Sequence, residues 1–197
     1  MKNKGFEEQD REQISQLLSQ VADKGRLEEE NKELRSQIVS GRVDRPLELV
    51  SVVGGGRGQL RLAAGKKAGV VTGMMVVSHG AVVGKVGSMD DWAATLLLPT
   101  NSDFKAAVMV RGAISGARRA DGIVTGRNGR VLLTKALRSD SVSEGDVVVT
   151  AGVDGDLSGM IVGRITKVQD DIAGVYQEAV IEPPIRYEGL KLAFVVK

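Results

Sequence analysis

The sequence offers few side chains that could carry out catalysis. It contains a single histidine, His79, and no cysteine, and the stretch Gly155-Asp156-Leu157-Ser158-Gly159 superficially resembles the loop of a serine nucleophile. A serine hydrolase would need His79 to meet Ser158 and a buried aspartate. The residues around His79-Gly80 instead predict a hairpin turn, where a polar residue before glycine is expected without any catalytic role. We therefore predict no catalytic residues and keep a trypsin-like hydrolase only as an alternative.

Ligand sets for metals and phosphates are missing as well. One histidine, no cysteine and no acidic calcium-loop motif leave zinc and calcium without ligands at a suitable spacing. The segment Gly54–Gly58 follows a predicted strand, but it lacks the helix and the Lys-Ser/Thr pair of a phosphate loop, so we predict a flexible hairpin turn there. Asp170, Asp171 and Glu182 are interpreted as solvated charges. No cofactor and no metal are expected.

Charge is distributed unevenly along the chain, although the net charge is only +2. Residues 99–138 contain eight basic and two acidic residues, whereas residues 139–197 contain five basic and ten acidic ones. The basic segment could face an anionic partner, but its residues are spread through predicted strands and turns, which favours an ordinary solvated face. Nucleic acid is not expected as a partner, because aromatic residues for base stacking are scarce.

Residues 6–40 predict a long amphipathic helix, because they contain no proline and consist largely of strong helix formers. The apolar positions follow a 3.5-residue period in two halves, with a shift of phase beside Gly25. Asn31 occupies an a position, which favours a parallel two-stranded coiled coil; the alternative is a helix folded back on its own β domain. Ser40-Gly41 and Pro46 end the helix. The predicted dimer seam consists of Ile14, Leu17, Val21, Leu27, Asn31, Leu34 and Ile38.

From Leu47 onward the sequence predicts a mainly β fold of short, valine-rich strands separated by turns. The predicted strands cover residues 47–53, 59–63, 74–78, 81–86, 93–98, 106–111, 123–125, 131–133, 147–150, 160–168, 175–182 and 192–196. A motif at residues 73–86 returns at residues 145–165 with seven additional residues inside it. We interpret each copy as a hairpin whose second strand bends at a glycine, Gly84 or Gly163.

The succession LEEENKELR, LAAGKKAGVVTGMMVVSHGAVVGKV and VSEGDVVVTAGVDGDLSGMIVGRITKV resembles the extracytoplasmic region of the rod shape-determining MreC family. The resemblance covers nearly the whole chain. It implies a coiled-coil helix and linker at residues 1–46, followed by a β domain of two small barrel-like subdomains at residues 47–197. The chain departs from the family near Leu157-Ser158-Gly159, where the usual proline is replaced, so the shape of that loop is open.

The resemblance also implies a function and partners. Members of the family are held at the outer face of the cytoplasmic membrane by an N-terminal anchor, which we expect to be missing from this chain, and they form homodimers and can form filaments. We expect a non-enzymatic scaffold of the cell-elongation machinery that organises peptidoglycan synthases. The implied partners are a class B penicillin-binding transpeptidase, MreD, RodA and RodZ, with MreB across the membrane.

The partner surface is expected near the first hairpin, although most apolar residues there should be core. The candidate residues are Val70, Val71, Met74 and Met75. Besides the hydrolase, a second alternative is a self-assembling structural filament whose β domains bind mainly each other.

Overall fold

The computed structural model describes residues 45–56, 58–153, 157–170 and 175–197, and in this part of the chain the fold is built from strands. The predicted coiled coil and all seven of its seam residues lie outside the described residues. The strands are β1 (Leu47–Gly56), β2 (Gln59–Leu62), β3 (Met75–Ser78), β4 (Ala81–Met89), β5 (Ala94–Leu97), β6 (Lys105–Arg111), β7 (Arg118–Arg127), β8 (Arg130–Leu137), β9 (Val147–Ala151), β10 (Ser158–Asp170), β11 (Tyr176–Glu182) and β12 (Leu192–Val196). A short 3-10 helix, Lys66–Ala68, connects β2 to β3. The prediction of a mainly β fold is confirmed.

Five strands, β1, β4, β7, β8 and β10, are at least three residues longer than their sequences predict. β7 begins at Arg118, ahead of its apolar centre, because the polar residues before Ile123 pair with β6 through Met109↔Asp121 and Arg111↔Arg118. The glycines of β1 also belong to the sheet and not to the turn, since Gly55 pairs with Leu60 and Gly56 with Gln59. The predicted hairpin turn is therefore shorter than the glycine-rich segment.

The strand pairings close two rings of six strands each. The sheet order is β11-β8-β7-β6-β9-β10-β4-β3-β12-β1-β2-β5, and the additional pairings β11–β10 and β4–β5 connect the ends of each half. We call β1–β5 with β12 the first ring, and β6–β11 the second ring. The rings join where β10 runs parallel to β4, at Ile161↔Ala81, with the Ile161 amide donating to the Gly80 carbonyl over 3.2 Å.

The repeat seen in the sequence corresponds to a repeated strand arrangement that covers five of the six places in each ring. β1 and β7 are both ten residues long and both lead into a hairpin; β3, β4 and β5 then occupy the positions that β9, β10 and β11 occupy in the second ring. The sixth place is filled differently, because β6 pairs with β7 and β9, whereas the C-terminal strand β12 pairs with β1 and β3. The first ring is thus completed by a strand from the other end of the chain.

Two hydrophobic clusters form the cores. One is built from first-ring residues such as Leu62, Val76 and Leu96, and the other is centred on the second ring but also contains Val77 and Val82. All four residues of β3 are buried, because its alternate side chains enter different clusters. Burial on both faces explains why Met75, Val76 and Val77 form an uninterrupted apolar run instead of an alternating one.

Candidate partner-binding surfaces

The four residues predicted to contact partners lie around the start of β3, and the structure separates them by burial. Val70 and Met75 are 2% and 3% exposed and belong to the cores. Val71 is 54% exposed, and Met74 is half-buried against the first-ring cluster, its Sδ atom accepting from the Val71 amide over 3.3 Å. The surface available to a partner at this place therefore consists of Val71 and part of Met74.

A second loop meets this segment at the same end of the first ring. The amides of Lys66 and Lys67 donate to the carbonyls of Asp90 and Asp91 over 3.0 and 3.1 Å, which ties the segment before β3 to the turn between β4 and β5. In that turn Trp92 is 69% exposed, and the Lys67 ammonium lies 3.8 Å from the centre of its ring, in a cation–π contact. We call Lys67, Val71, Met74 and Trp92 the loop end of the first ring.

The turn at the loop end is held by Asp90. Its carboxylate accepts hydrogen bonds from the amides of Trp92 and Ala93 over 2.8 and 2.7 Å and lies 3.3 Å from the guanidinium of Arg61. These contacts, chiefly the bonds from the two amides, lower the pKa of Asp90 below its usual value. The exposed tryptophan is therefore presented on a fixed turn.

A second group of apolar side chains lies outside the core of the second ring and is almost fully covered. Leu132 and Val149 are 8% and 5% exposed, yet neither belongs to a core cluster. Cross-strand pairs place Val149 beside Met109 and Ile161 and Leu132 beside Val180. Neither residue was among the predicted partner contacts. The signal was available in the runs Ala106–Val110 and Val131–Leu133, since strands that are apolar on both faces predict a covered outer face.

The residues considered for catalysis do not assemble into a triad within the described structure. His79 has φ of 50° and Gly80 has φ of 74°, so both adopt the left-handed conformation of a two-residue hairpin turn, as predicted. The exposed His79 ring has its Nδ1 atom 2.9 Å from the hydroxyl of Ser78, its neighbour in sequence. Ser158 lies at the exposed start of β10, paired with Ala151.

Two further features of the described residues bear on ligands and membranes. They contain no group of three or more histidine, cysteine or acidic side chains placed to hold a metal ion. Within the same residues, none of the helical segments has the length and apolar character needed to cross a bilayer.

The described residues define a class: a β domain of two closed six-stranded rings that exposes apolar side chains at the loop end of its first ring. Such surfaces are typical of proteins that bind other proteins. The model of the family described as rod shape-determining protein MreC, barrel core, matches residues 54–197. The chain belongs to this MreC family of rod shape-determining proteins.

Individual relatives agree with the family assignment. The cell shape-determining protein MreC of Listeria monocytogenes is 33% identical over 183 residues, which make up 87% of this chain and 60% of that protein. This chain therefore spans less than two thirds of that relative's length. A solved structure of MreC from Listeria monocytogenes has a TM-score of 0.70 at 27% identity and covers 100% of this chain and 96% of that one.

A more distant likeness concerns the fold alone. A chain of the solved complex between a penicillin-binding protein and MreC from Helicobacter pylori has a TM-score of 0.60 at 15% identity. The alignment covers 77% of this chain and 99% of that one.

Proposed function

We propose that this protein is a non-enzymatic scaffold of cell elongation that controls cell shape by holding peptidoglycan synthases in place. Membership of a cell shape-determining family supports the cellular role. The observation that carries the molecular role is the exposure of Val71 and Trp92, at 54% and 69%, in two segments that backbone hydrogen bonds tie together. A rigid, partly apolar surface of this kind loses little conformational entropy when a partner covers it.

The proposed partner is the extracellular domain of a class B penicillin-binding transpeptidase. The Helicobacter pylori relative is known in complex with a penicillin-binding protein, which supports the choice of partner without placing the contact on this chain. The contact is assigned to Val71 and Met74 at the loop end, because Val70 and Met75 are core residues. MreD, RodA and RodZ are proposed as further members of the same assembly at the outer face of the membrane.

The scaffold is proposed to act as a homodimer through its N-terminal segment. The heptad pattern supports a parallel coiled coil, with Asn31 pairing across the seam to fix the register. Replacing Leu34 and Ile38 together by glutamate would place charges in that seam, and a monomer is the expected result in light scattering coupled to size-exclusion chromatography. A variant that stayed dimeric would move the dimer contact elsewhere.

Binding to the transpeptidase tests the proposal directly. Calorimetric titration of the whole chain with the extracellular domain of its cognate transpeptidase should show saturable binding, and Val71→Asp should weaken it by about tenfold, as expected for losing roughly 1.4 kcal/mol at an interface position. Ile114→Asp is the matched control, since Ile114 is fully exposed in the connection between β6 and β7. Its affinity should stay within about twofold of the parent.

The result also separates the scaffold from the alternative of a self-assembling filament. If neither the parent nor the Ile114→Asp chain binds the transpeptidase, while both form concentration-dependent polymers that Val71→Asp abolishes, the loop end binds other copies of this chain. Equal loss of affinity in both aspartate variants would show that added negative charge, and not the loop end, determines binding.

A further inference from the structure

A polar groove opens where the two rings meet. Its first part has a volume of about 460 Å³ and is formed by three turns, those between β1 and β2, between β5 and β6, and between β7 and β8. The lining residues are Gly58, Thr100, Asn101, Ser102, Asn128 and Gly129. Backbone hydrogen bonds fix these turns to one another, with the Leu98 amide donating to Gly58 over 3.0 Å and the Gly126 amide donating to Asn101 over 3.2 Å.

A second part, which shares Asn128 with the first, lies on the outer face of the second ring. This second part has a volume of about 380 Å³. Leu132 and Val180, which pair across β8 and β11, form an apolar strip, and Gln169 and Glu178, which pair across β10 and β11, lie beside it. Each part has a size at which proteins hold small ligands or a few residues of a peptide.

Positive charge dominates this second part. The Arg127 guanidinium donates two hydrogen bonds to the Glu178 carboxylate, at 3.0 and 2.8 Å, so the one acidic group among the described residues that line this part is already paired. Arg130 makes no hydrogen bond or ion pair with any residue that the structure describes, and it lines the groove. Lys167, opposite Val180, adds a further exposed cation at the edge.

Carboxamide groups line the groove along its length. The side chains of Asn128 and Gln169 make no hydrogen bond within the described residues. In Asn101 the Oδ1 atom accepts from the Asp103 amide over 2.9 Å, while the Nδ2 group donates to no described residue. Carboxamides can both donate and accept, which suits the alternating amides and carbonyls of an extended peptide.

We propose that this groove binds an extended acidic peptide segment of a partner protein. A carboxylate of the peptide would pair with Arg130, whose planar guanidinium can bind both oxygens. The carboxamides would form hydrogen bonds with the peptide backbone, and an aliphatic side chain would pack on Leu132 and Val180.

A saccharide is the less suitable occupant, because no aromatic side chain among the described residues lines either part. The groove is separate from the loop end, so this inference goes beyond the proposed function and does not depend on it.

Fluorescence anisotropy of the whole chain with a labelled peptide tests the inference. The probe is an eight-residue peptide of glutamate with one central leucine, and a lysine peptide with the same leucine serves as its counterpart. The acidic peptide should bind and the lysine peptide should not. Arg130→Glu should weaken binding by about tenfold or more, as for other truncated charge pairs. Lys105→Glu, an equally exposed cation on β6, changes the net charge by the same amount and should leave affinity within about twofold.

Amide resonances locate the bound peptide. In nuclear magnetic resonance spectra of the whole chain, the peptide should shift the backbone amides of Gly58 and Gly129 and the side-chain amides of Asn128 and Gln169. The inference is overturned if the acidic peptide does not bind at millimolar concentration, or if Arg130→Glu and Lys105→Glu weaken it equally, which indicates general charge attraction. It is also overturned if chitotetraose produces the same shifts at lower concentration than the peptide, which would make the groove a saccharide site.

Discussion

Tyr187 places a hydroxyl group inside the first ring's core region without a hydrogen-bond partner among the described residues. Burial also raises the pKa of this phenol well above its usual value, so the hydroxyl stays protonated at all physiological pH values. A buried donor without a partner costs free energy. Tyr187→Phe should therefore leave the free energy of unfolding unchanged or raise it by about 1 kcal/mol, measured by urea denaturation.

The matched control for Tyr187 is Tyr176→Phe, which removes a hydroxyl from a tyrosine in the second ring whose face contacts the Lys135 ammonium at 4.8 Å. It should have little effect, because that contact uses the ring. A loss of more than about 1 kcal/mol in Tyr187→Phe would mean that the Tyr187 hydroxyl has a partner, such as a bound water molecule.

The lowered pKa of Asp90 means that the stability of the folded protein should depend on pH. Its pKa is lowered in the folded protein by the amides of Trp92 and Ala93, followed by the guanidinium of Arg61. The folded state therefore favours the ionised carboxylate, and this contribution is present above the unfolded pKa of about 4 and is lost as pH falls through the lower, folded value. Asp90→Ala should lower the melting temperature at neutral pH, and the difference from the parent should shrink below about pH 4.

Asp91→Ala is the control for this titration, since Asp91 is the neighbouring exposed carboxylate and contacts Lys67 through its backbone carbonyl. Its effect on the melting temperature should be small at every pH. A difference between Asp90→Ala and the parent that grew as pH fell would contradict the assigned direction of the pKa shift.

Local sequence was enough to predict the backbone conformation of residues where that conformation depends only on their neighbours in the chain. His79-Gly80 is a turn because both residues accept left-handed backbone angles, as the structure confirms. The burial of Tyr187 could not be predicted, because its environment comes from strands far away in the sequence. The same holds for Arg130 and Gln169, which line one groove only because β11 pairs with both β8 and β10.

The bends of the two rings depend on equivalent glycines in β4 and β10. A Cβ atom on Gly84 would collide with the carbonyl oxygen of Leu97, and one on Gly163 with the carbonyl oxygen of Glu182. Because a backbone carbonyl in a paired strand cannot move aside cheaply, Gly84→Ala and Gly163→Ala should each destabilise the protein by about 2–4 kcal/mol. Thermal and urea denaturation of the two variants measure this cost.

Gly56→Ala is the matched control, since an added Cβ there meets no atom within 4 Å. Its free energy of unfolding should change by less than about 0.5 kcal/mol. If Gly84→Ala were as stable as Gly56→Ala, the strand could bend without glycine, and the interpretation of both motif copies would be wrong.

Among the strands, the repeat was the most informative sequence feature. Val-rich runs and the spacing of turns located all twelve strands, because each strand has apolar residues that a short window detects. The length of β7 was underestimated, because its first residues are polar and pair only since β6 lies beside them. The place of β12 between β1 and β3 was also unpredictable, because it results from closure of the first ring over more than a hundred residues.

Across the whole β region, the two rings share part of one core. Val77 and Val82 are strand residues of the first ring, yet they lie in the hydrophobic cluster of the second ring at 1% and 0% exposure. Met75 and Val196 of the first ring enter the same cluster. Opening the first ring would therefore expose apolar surface of the second, so we expect the rings to unfold together despite their separate strand closures.

Val77→Ala tests this coupling. Truncating a fully buried valine removes packing from the shared cluster and should cost about 1–3 kcal/mol. Urea unfolding can be followed by the fluorescence of Trp92, the single tryptophan, which reports on the first ring, and by the amide resonances of β7 and β8, which report on the second. Both probes should give coincident transitions in the parent, and both midpoints should fall together in Val77→Ala.

Val50→Ala, in the first-ring cluster, should also lower both midpoints. If Val50→Ala shifted only the Trp92 transition, the rings would be independent folding units, and the shared cluster would be a contact between them and not a common core.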